Sequence, residues 1–269
     1  MCDVPACTHR YTVCRVTDLA QVGCLLTFDV TAPAEIVLRI AAAAPAAETL
    51  SVEAEELPGR QHYLRVRPGR LTVAYEASVG ALPPPAPVSL IERVEALRPS
   101  RYCPSDRLAG FAASEFGGAP DATAAVRAIT GWVHDHLVYA SGASGPTTDA
   151  ADTLLSGAGV CRDFAHLVAT LCRGLNIPAR VAAVYAPGLS PMDFHLVAET
   201  ALDGLWRVWD ATRLAPRPTL IRIATGRDAA DTALATTISG ALTMPEMRIT
   251  AVAAADLPVD DHEALVSLP

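Results

Sequence analysis

The sequence predicts an α+β chain, with an N-terminal antiparallel, β-sandwich-like domain (residues 1–82) ahead of an α+β core that carries a C-terminal extension (88–269). Three observations predict it. Apolar residues alternate with period two as far as about Ala77; a proline run, Pro83-Pro84-Pro85-Ala86-Pro87, then interrupts the chain; beyond it the apolar period turns helical. The proline run favours an extended conformation and marks residues 83–87 as the linker.

The alternating runs are Tyr11–Val16, Val22–Val30, Glu35–Ile40, Leu50–Glu55, His62–Arg67 and Leu71–Tyr75, with turns marked by Pro58-Gly59 and Pro68-Gly69. After the linker, Val126, Ile129, Val133 and Leu137 share one face of a helix that Asp121 can cap and that ends near Tyr139. A polar loop from Ser141 to Asp149 and a glycine-punctuated stretch, Ser156–Val160, lead to Cys161. From there Phe164, Leu167, Val168, Leu171, Cys172 and Leu175 form an apolar helical stripe, which Gly174 and Asn176-Ile177-Pro178 terminate. This helix therefore begins near Cys161.

Further on, Phe194–Leu202 alternates, Leu205–Thr212 can do the same, and Asp203-Gly204 lies between them, a strong hairpin signal. With those two residues as the turn, Leu202 faces Leu205 and Asp210 falls opposite Val197. Asp210 and His195 then become diagonal neighbours on one face, about 7–8 Å apart at the backbone, a gap that two side chains can close.

Composition excludes several function classes. The chain has 269 residues, 51% hydrophobic, with a formal charge of −8 and no basic cluster, so it lacks an electrostatic footprint for nucleic acid. No window reaches the length of a membrane span, Ile36–Ala47 being broken by Arg39 and Pro45. No basic residue precedes an apolar stretch at the start, so the expected compartment is the cytoplasm, and seven cysteines read as reduced thiols. The chain contains no lysine, hence no side-chain amine of its own to serve as an acyl acceptor. No cofactor or metal is expected: His134 and His136 lie two apart on a helix and point away from each other, and Cys2, Cys7, Cys14 and Cys24 lack zinc-site spacing. Nor is there an EF-hand pattern for calcium.

A helix N-terminus presents unpaired N–H groups and partial positive charge, which stabilise a thiolate and can hold an oxyanion. Cys161 stands where a nucleophile belongs, while Cys172, on the apolar stripe, reads as core. An imidazole and its orienting carboxylate require the His195–Asp210 geometry. Cys161, His195 and Asp210 are thus the expected catalytic set. Tyr102, Cys103 and His166 are candidates for its surroundings, and Asp163 suits the first turn of the helix through its charge.

The stretches Gly159–His166, Leu171–Arg180, Phe194-His195 and Trp209–Thr212 together resemble the bacterial transglutaminase-like family of cysteine proteases. Pro99–Asp106 and Gly226–Asp231 are similar to segments of its members. The resemblance implies a papain-like core, Cys161 as nucleophile, His195 as general base and acid, and Asp210 as orienting carboxylate. It also implies a peptide or protein amide substrate and a thioester intermediate, resolved by water or, alternatively, by a second amine in transamidation. Leu196-Val197 stands where the family commonly has a tryptophan, and Asp-Ala-Thr where it has Asp-Pro-Thr. The rival reading is a scaffold of this fold without turnover, against which the intact set of three argues.

Overall fold

The computed structural model describes residues 19–80 and 83–268; the expected strand Tyr11–Val16 lies outside them. β1 (Ala20–Leu38) is one strand where the sequence predicts two. Its break at Thr31–Pro33 is a bulge, not a turn: the ladder to its neighbour slips between Val30 and Glu35, where a residue without an N–H does little harm. Expected strand Leu50–Glu55 splits into the end of β2 (Ala47–Leu50) and the start of β3 (Glu55–Leu57), with a bend at Ser51 and Val52. β4 (Gln61–Val66) and β5 (Gly69–Val79) follow, pairing with successive halves of β1.

The core continues with α1 (Leu90–Glu95), α2 (Ser105–Phe116), α3 (Ala122–His136), a two-residue β6 (Val138–Tyr139), α4 (Ala150–Ser156), β7 (Ala158–Gly159) and α5 (Cys161–Gly174). β8 (Ala179–Tyr185), β9 (Phe194–Leu202), β10 (Leu205–Trp209) and β11 (Ile221–Gly226) form an antiparallel sheet in the order β10-β9-β8-β11. α5 lies against this sheet with α2, α3 and α4 around it. The sequence shows one apolar stripe on α5, yet every residue from Asp163 to Arg173 is buried, because protein covers the polar face as well. Arg173 is satisfied there by the carbonyls of Ala179 and Arg227 and by Ser100 Oγ.

The C-terminal extension does not stay with the core that precedes it. β12 (Ala235–Val252) returns to the N-terminal sheet and pairs antiparallel with β1 from Gln21↔Val252 to Leu38↔Ala235. Residues 83–87 lie between β5 and α1, and the β-rich region takes its sixth strand from the far end of the chain. The two sheets also share apolar packing: Tyr185, Ile221 and Ile223 belong to the same buried cluster as Phe28, Ile36 and Tyr75. The Tyr185 hydroxyl donates to Ile40 O (2.6 Å), and Ala43 N–H to Arg222 O (2.8 Å). No described helix is long and apolar enough to cross a membrane.

The C-terminal segment is fastened by Arg217, 1% exposed. Its guanidinium pairs with both carboxylate oxygens of Asp260 (2.8 Å each) and donates to the carbonyls of Val208, on β10, and Ala264. Removing one partner of such a buried pair leaves a charge unpaired. Arg217→Leu is expected to lower the unfolding free energy by about 3 kcal/mol in urea titration.

Candidate active site

The Asp203-Gly204 turn takes positive φ at both residues (52° and 75°), the combination that matches strand twist in a two-residue hairpin. Its register is the one the sequence predicts, Leu205↔Leu202 through Trp209↔Ala198. The ladder stops at Trp209, and Asp210 follows one step beyond it. Two contacts hold this strand end: Trp209 Nε1–H donates to Thr200 Oγ1 (2.8 Å), and His134 Nδ1 lies 2.9 Å from Ala211 O.

His195 Nε2 and Asp210 Oδ2 are 2.9 Å apart, and both side chains are 1% exposed. Asp210 Oδ1 accepts from Thr212 N–H (2.9 Å) and Thr212 Oγ–H (2.7 Å), so both carboxylate oxygens are occupied. Thr212 is a site residue that sequence reasoning missed. The signal was present as Asp-x-Thr, a side chain closing a turn onto the backbone two residues on. The other imidazole nitrogen, Nδ1, is buried without a hydrogen-bond partner fixed by the described residues, and the remaining polar neighbour of the ring is the Cys161 thiol.

Cys161 opens α5. The glycine before it has a steric cause, since a Cβ on Gly159 would stand 2.6 Å from Asp163 Cβ. Asp163 is fully buried and accepts from Val160 N–H (2.8 Å) and Ser144 Oγ–H (2.5 Å). It therefore ties the loop 141–149 to the helix start, in addition to facing the helix dipole. Tyr139 is a second residue the sequence did not reveal: burial first, and then the neighbouring Cys161, raise its phenol, while the parallel pairing of β6 with β7 fixes its backbone.

A cavity of about 220 Å³ opens at Cys161 and His195. Phe194, Leu196, Ile223 and Leu234 give it apolar walls, and Arg39 and Arg162 also line it. Leu196, one of the two departures from the family pattern, is thus part of the wall. Tyr102, Cys103 and His166 line no part of it. Tyr102 stacks on His166 (centroids 5.3 Å, 2° between planes), His166 Nε2 accepts from Ala229 N–H (3.0 Å), and Cys103 is core. Gly226–Asp231 serves the same back wall, with Asp228 accepting from Tyr102 N–H (3.0 Å).

The charges follow from these contacts. Burial opposes the imidazolium, but the Asp210 carboxylate and then Cys161 outweigh it and push His195 up to about 10. Burial likewise opposes ionised Asp210, yet His195 and Thr212 hold its carboxyl below the ordinary range. His166 shows the contrary case: burial dominates and lowers it to about 4, leaving it neutral. Burial also raises the thiols of Cys103 and Cys24 to about 11 and that of Cys172 to about 12.

These directions set a pH window. A raised imidazole binds its proton more tightly folded than unfolded, so its stabilisation is complete below the unfolded value near 6.5 and is lost as pH rises through about 10. A lowered carboxyl contributes above its unfolded value near 4 and loses that contribution as pH falls through the folded one. In ¹⁵N imidazole spectra at pH 8, His195 is expected to be protonated and His166 neutral. Asp210→Asn should leave His195 neutral at that pH.

Comparison with known proteins places the chain in a family. Residues 110–211, which include Cys161, His195 and Asp210, match the model of the transglutaminase-like superfamily core. The chain is similar to the crystal structure of a candidate cysteine protease from Cytophaga hutchinsonii, with 32% identity, a TM-score of 0.82, and 90% of this chain and 92% of that one covered. It is 29% identical over 123 residues to the uncharacterised protein ML0607 of Mycobacterium leprae, a match that spans 45% of this chain and 43% of that relative's length. The periplasmic domain of TgpA from Pseudomonas aeruginosa is 17% identical, with a TM-score of 0.42 over 74% of this chain and 92% of that one.

Proposed function

Since the chain belongs to the bacterial transglutaminase-like family, we propose that it is a thiol-dependent hydrolase of peptide or isopeptide amides, with Cys161 as nucleophile, His195 as general acid and base, and Asp210 as the orienting carboxylate. The observation that carries the reading is the buried His195–Asp210 pair, bonded through Nε2, with Nδ1 left for Cys161 at the cavity.

The protonated His195 stands beside the Cys161 sulfur, which acts as the nucleophile. The sulfur attacks the amide carbonyl, a C–S bond forms, and the oxyanion takes the Cys161 N–H at the start of α5. His195 gives its proton to the nitrogen as the C–N bond breaks, which leaves a thioester. Neutral His195 then draws a proton from water, the oxygen attacks the thioester, and the acid departs as the sulfur rejoins the imidazolium. An amine in place of water would give transamidation by the same steps; hydrolysis is preferred because any open cleft contains water.

The compartment proposed is the reducing cytoplasm, which keeps the nucleophile a thiol; Cys24, Cys103, Cys161 and Cys172 are all free.

Residue-resolved alkylation by iodoacetamide tests the nucleophile. At pH 6 Cys161 should react at least about tenfold faster than Cys103 and Cys172, and His195→Ala should remove that advantage. Equal rates at the three cysteines would sink the catalytic reading and leave a scaffold of this fold.

A further inference from the structure

The cavity at Cys161 is not electrically neutral. Two side chains with fixed charge line it, Arg39 and Arg162, and no carboxylate does. Arg162 is already committed, donating to Gly145 O and Ser144 Oγ and pairing with Asp163. Arg39 is different. It is half-buried, its backbone N–H is fixed by Leu234 O (2.9 Å), and its guanidinium makes no hydrogen bond or ion pair among the described residues. The acid whose carboxyl it influences, Asp231, is engaged by both sides of the Arg227 guanidinium (2.8 and 3.2 Å). Arg39 also lines an adjoining cleft of about 530 Å³ whose charges are mixed, with Arg98, Arg180 and Arg227 beside Glu92, Glu95 and Asp231, so the two hollows meet at this residue.

A guanidinium presents a planar fork of donors that matches a carboxylate, and it gains most where apolar walls exclude water. Here the arginine follows directly on β1, in a chain whose overall charge is −8, and it lines the same cavity as the apolar Phe194, Ile223 and Leu234. A local cation in an acidic molecule selects for anionic ligands at that spot and disfavours neutral ones.

We infer that Arg39 is the substrate-anchoring residue of this site and that the substrate is an amide whose acyl side carries a free carboxylate close to the scissile carbonyl. The inference rests on the reading of Cys161 as the acylated nucleophile. It gives the β-rich region a role in substrate choice: the strand end that packs against the catalytic sheet brings the anchor to the cavity.

Two acyl donors of equal length separate the possibilities, the benzyl thioesters of glutaric acid, with a free carboxylate, and of pentanoic acid, without one. In each, the Cys161 sulfur forms a C–S bond to the acyl carbon while the bond to benzyl mercaptan breaks, and His195 returns the proton to the departing thiol. Acylation of Cys161 is followed by mass spectrometry of its peptide. In the full-length wild type, glutarylation should outpace pentanoylation by at least about tenfold, and the ratio should shrink as salt rises. Arg39→Met should bring the ratio close to one, and Arg39→Lys should restore part of it. Because a ratio is read, a general loss of rate in a variant does not mimic the effect. Equal acylation by both esters in the wild type, or a ratio that Arg39→Met leaves intact, overturns the anchor while the nucleophile stands. Failure of both esters to acylate Cys161, with its alkylation independent of His195, overturns the nucleophile and the anchor together.

Discussion

Everything at this site depends on one buried charge pair, His195 with Asp210. Taking both groups out of water costs several kcal/mol each, and the attraction between them offsets that only when every remaining lone pair is also satisfied. The fold supplies those partners. Thr212 donates twice to the second Asp210 oxygen, so the carboxylate is anchored before it meets the ring. Trp209 and His134 fix the backbone on either side of it. Arg217, from beyond the hairpin, holds the Val208 carbonyl and the C-terminal segment together. The result is an imidazole forced to keep its proton, beside the one described cysteine that is only partly buried. Cys24, Cys103 and Cys172, buried without such a partner, have thiols pushed up by that burial.

The β-rich region is part of this construction. β1 is clamped between β12 on one edge and β4 and β5 on the other, and its C-terminal end packs on β8 and β11 through Tyr185, Ile221 and Ile223. A strand paired on both sides along most of its length is a stiff element on which to mount a side chain. Residues 39–43 therefore reach the catalytic sheet with their backbone fixed, by Leu234 O at Arg39 and Arg222 O at Ala43. β12, which follows the last strand of the catalytic sheet, thus completes the pairing of β1.

Much of the candidate site was legible because its determinants are local. The start of α5 follows from an apolar period and a glycine run, and the His195–Asp210 relation from a two-residue turn and the parity of the strands it joins. What escaped was set by distant partners. The bulge at Thr31–Pro33 looks like a strand end in sequence, since the bonds that carry β1 through it come from residues about 200 positions later. The return of β12 has no signal at its own position, where alternation reads equally well for any exposed strand. Tyr139 reads as a helix end in sequence because its place near Cys161 depends on the pairing of β6 with β7. Tyr102 and His166 matched the family pattern but serve the wall behind α5, a distinction that motif resemblance does not make.

The account stands on Asp210 acting on Cys161 only through His195, and a double-mutant cycle measures that directly. Iodoacetamide alkylation rates of Cys161 at pH 6 would be compared in the wild type, His195→Ala, Asp210→Asn and the double variant. The account predicts that each single change lowers the rate and that the double variant is no slower than His195→Ala alone. Additive losses, or an Asp210→Asn protein that alkylates as fast as the wild type, would contradict it.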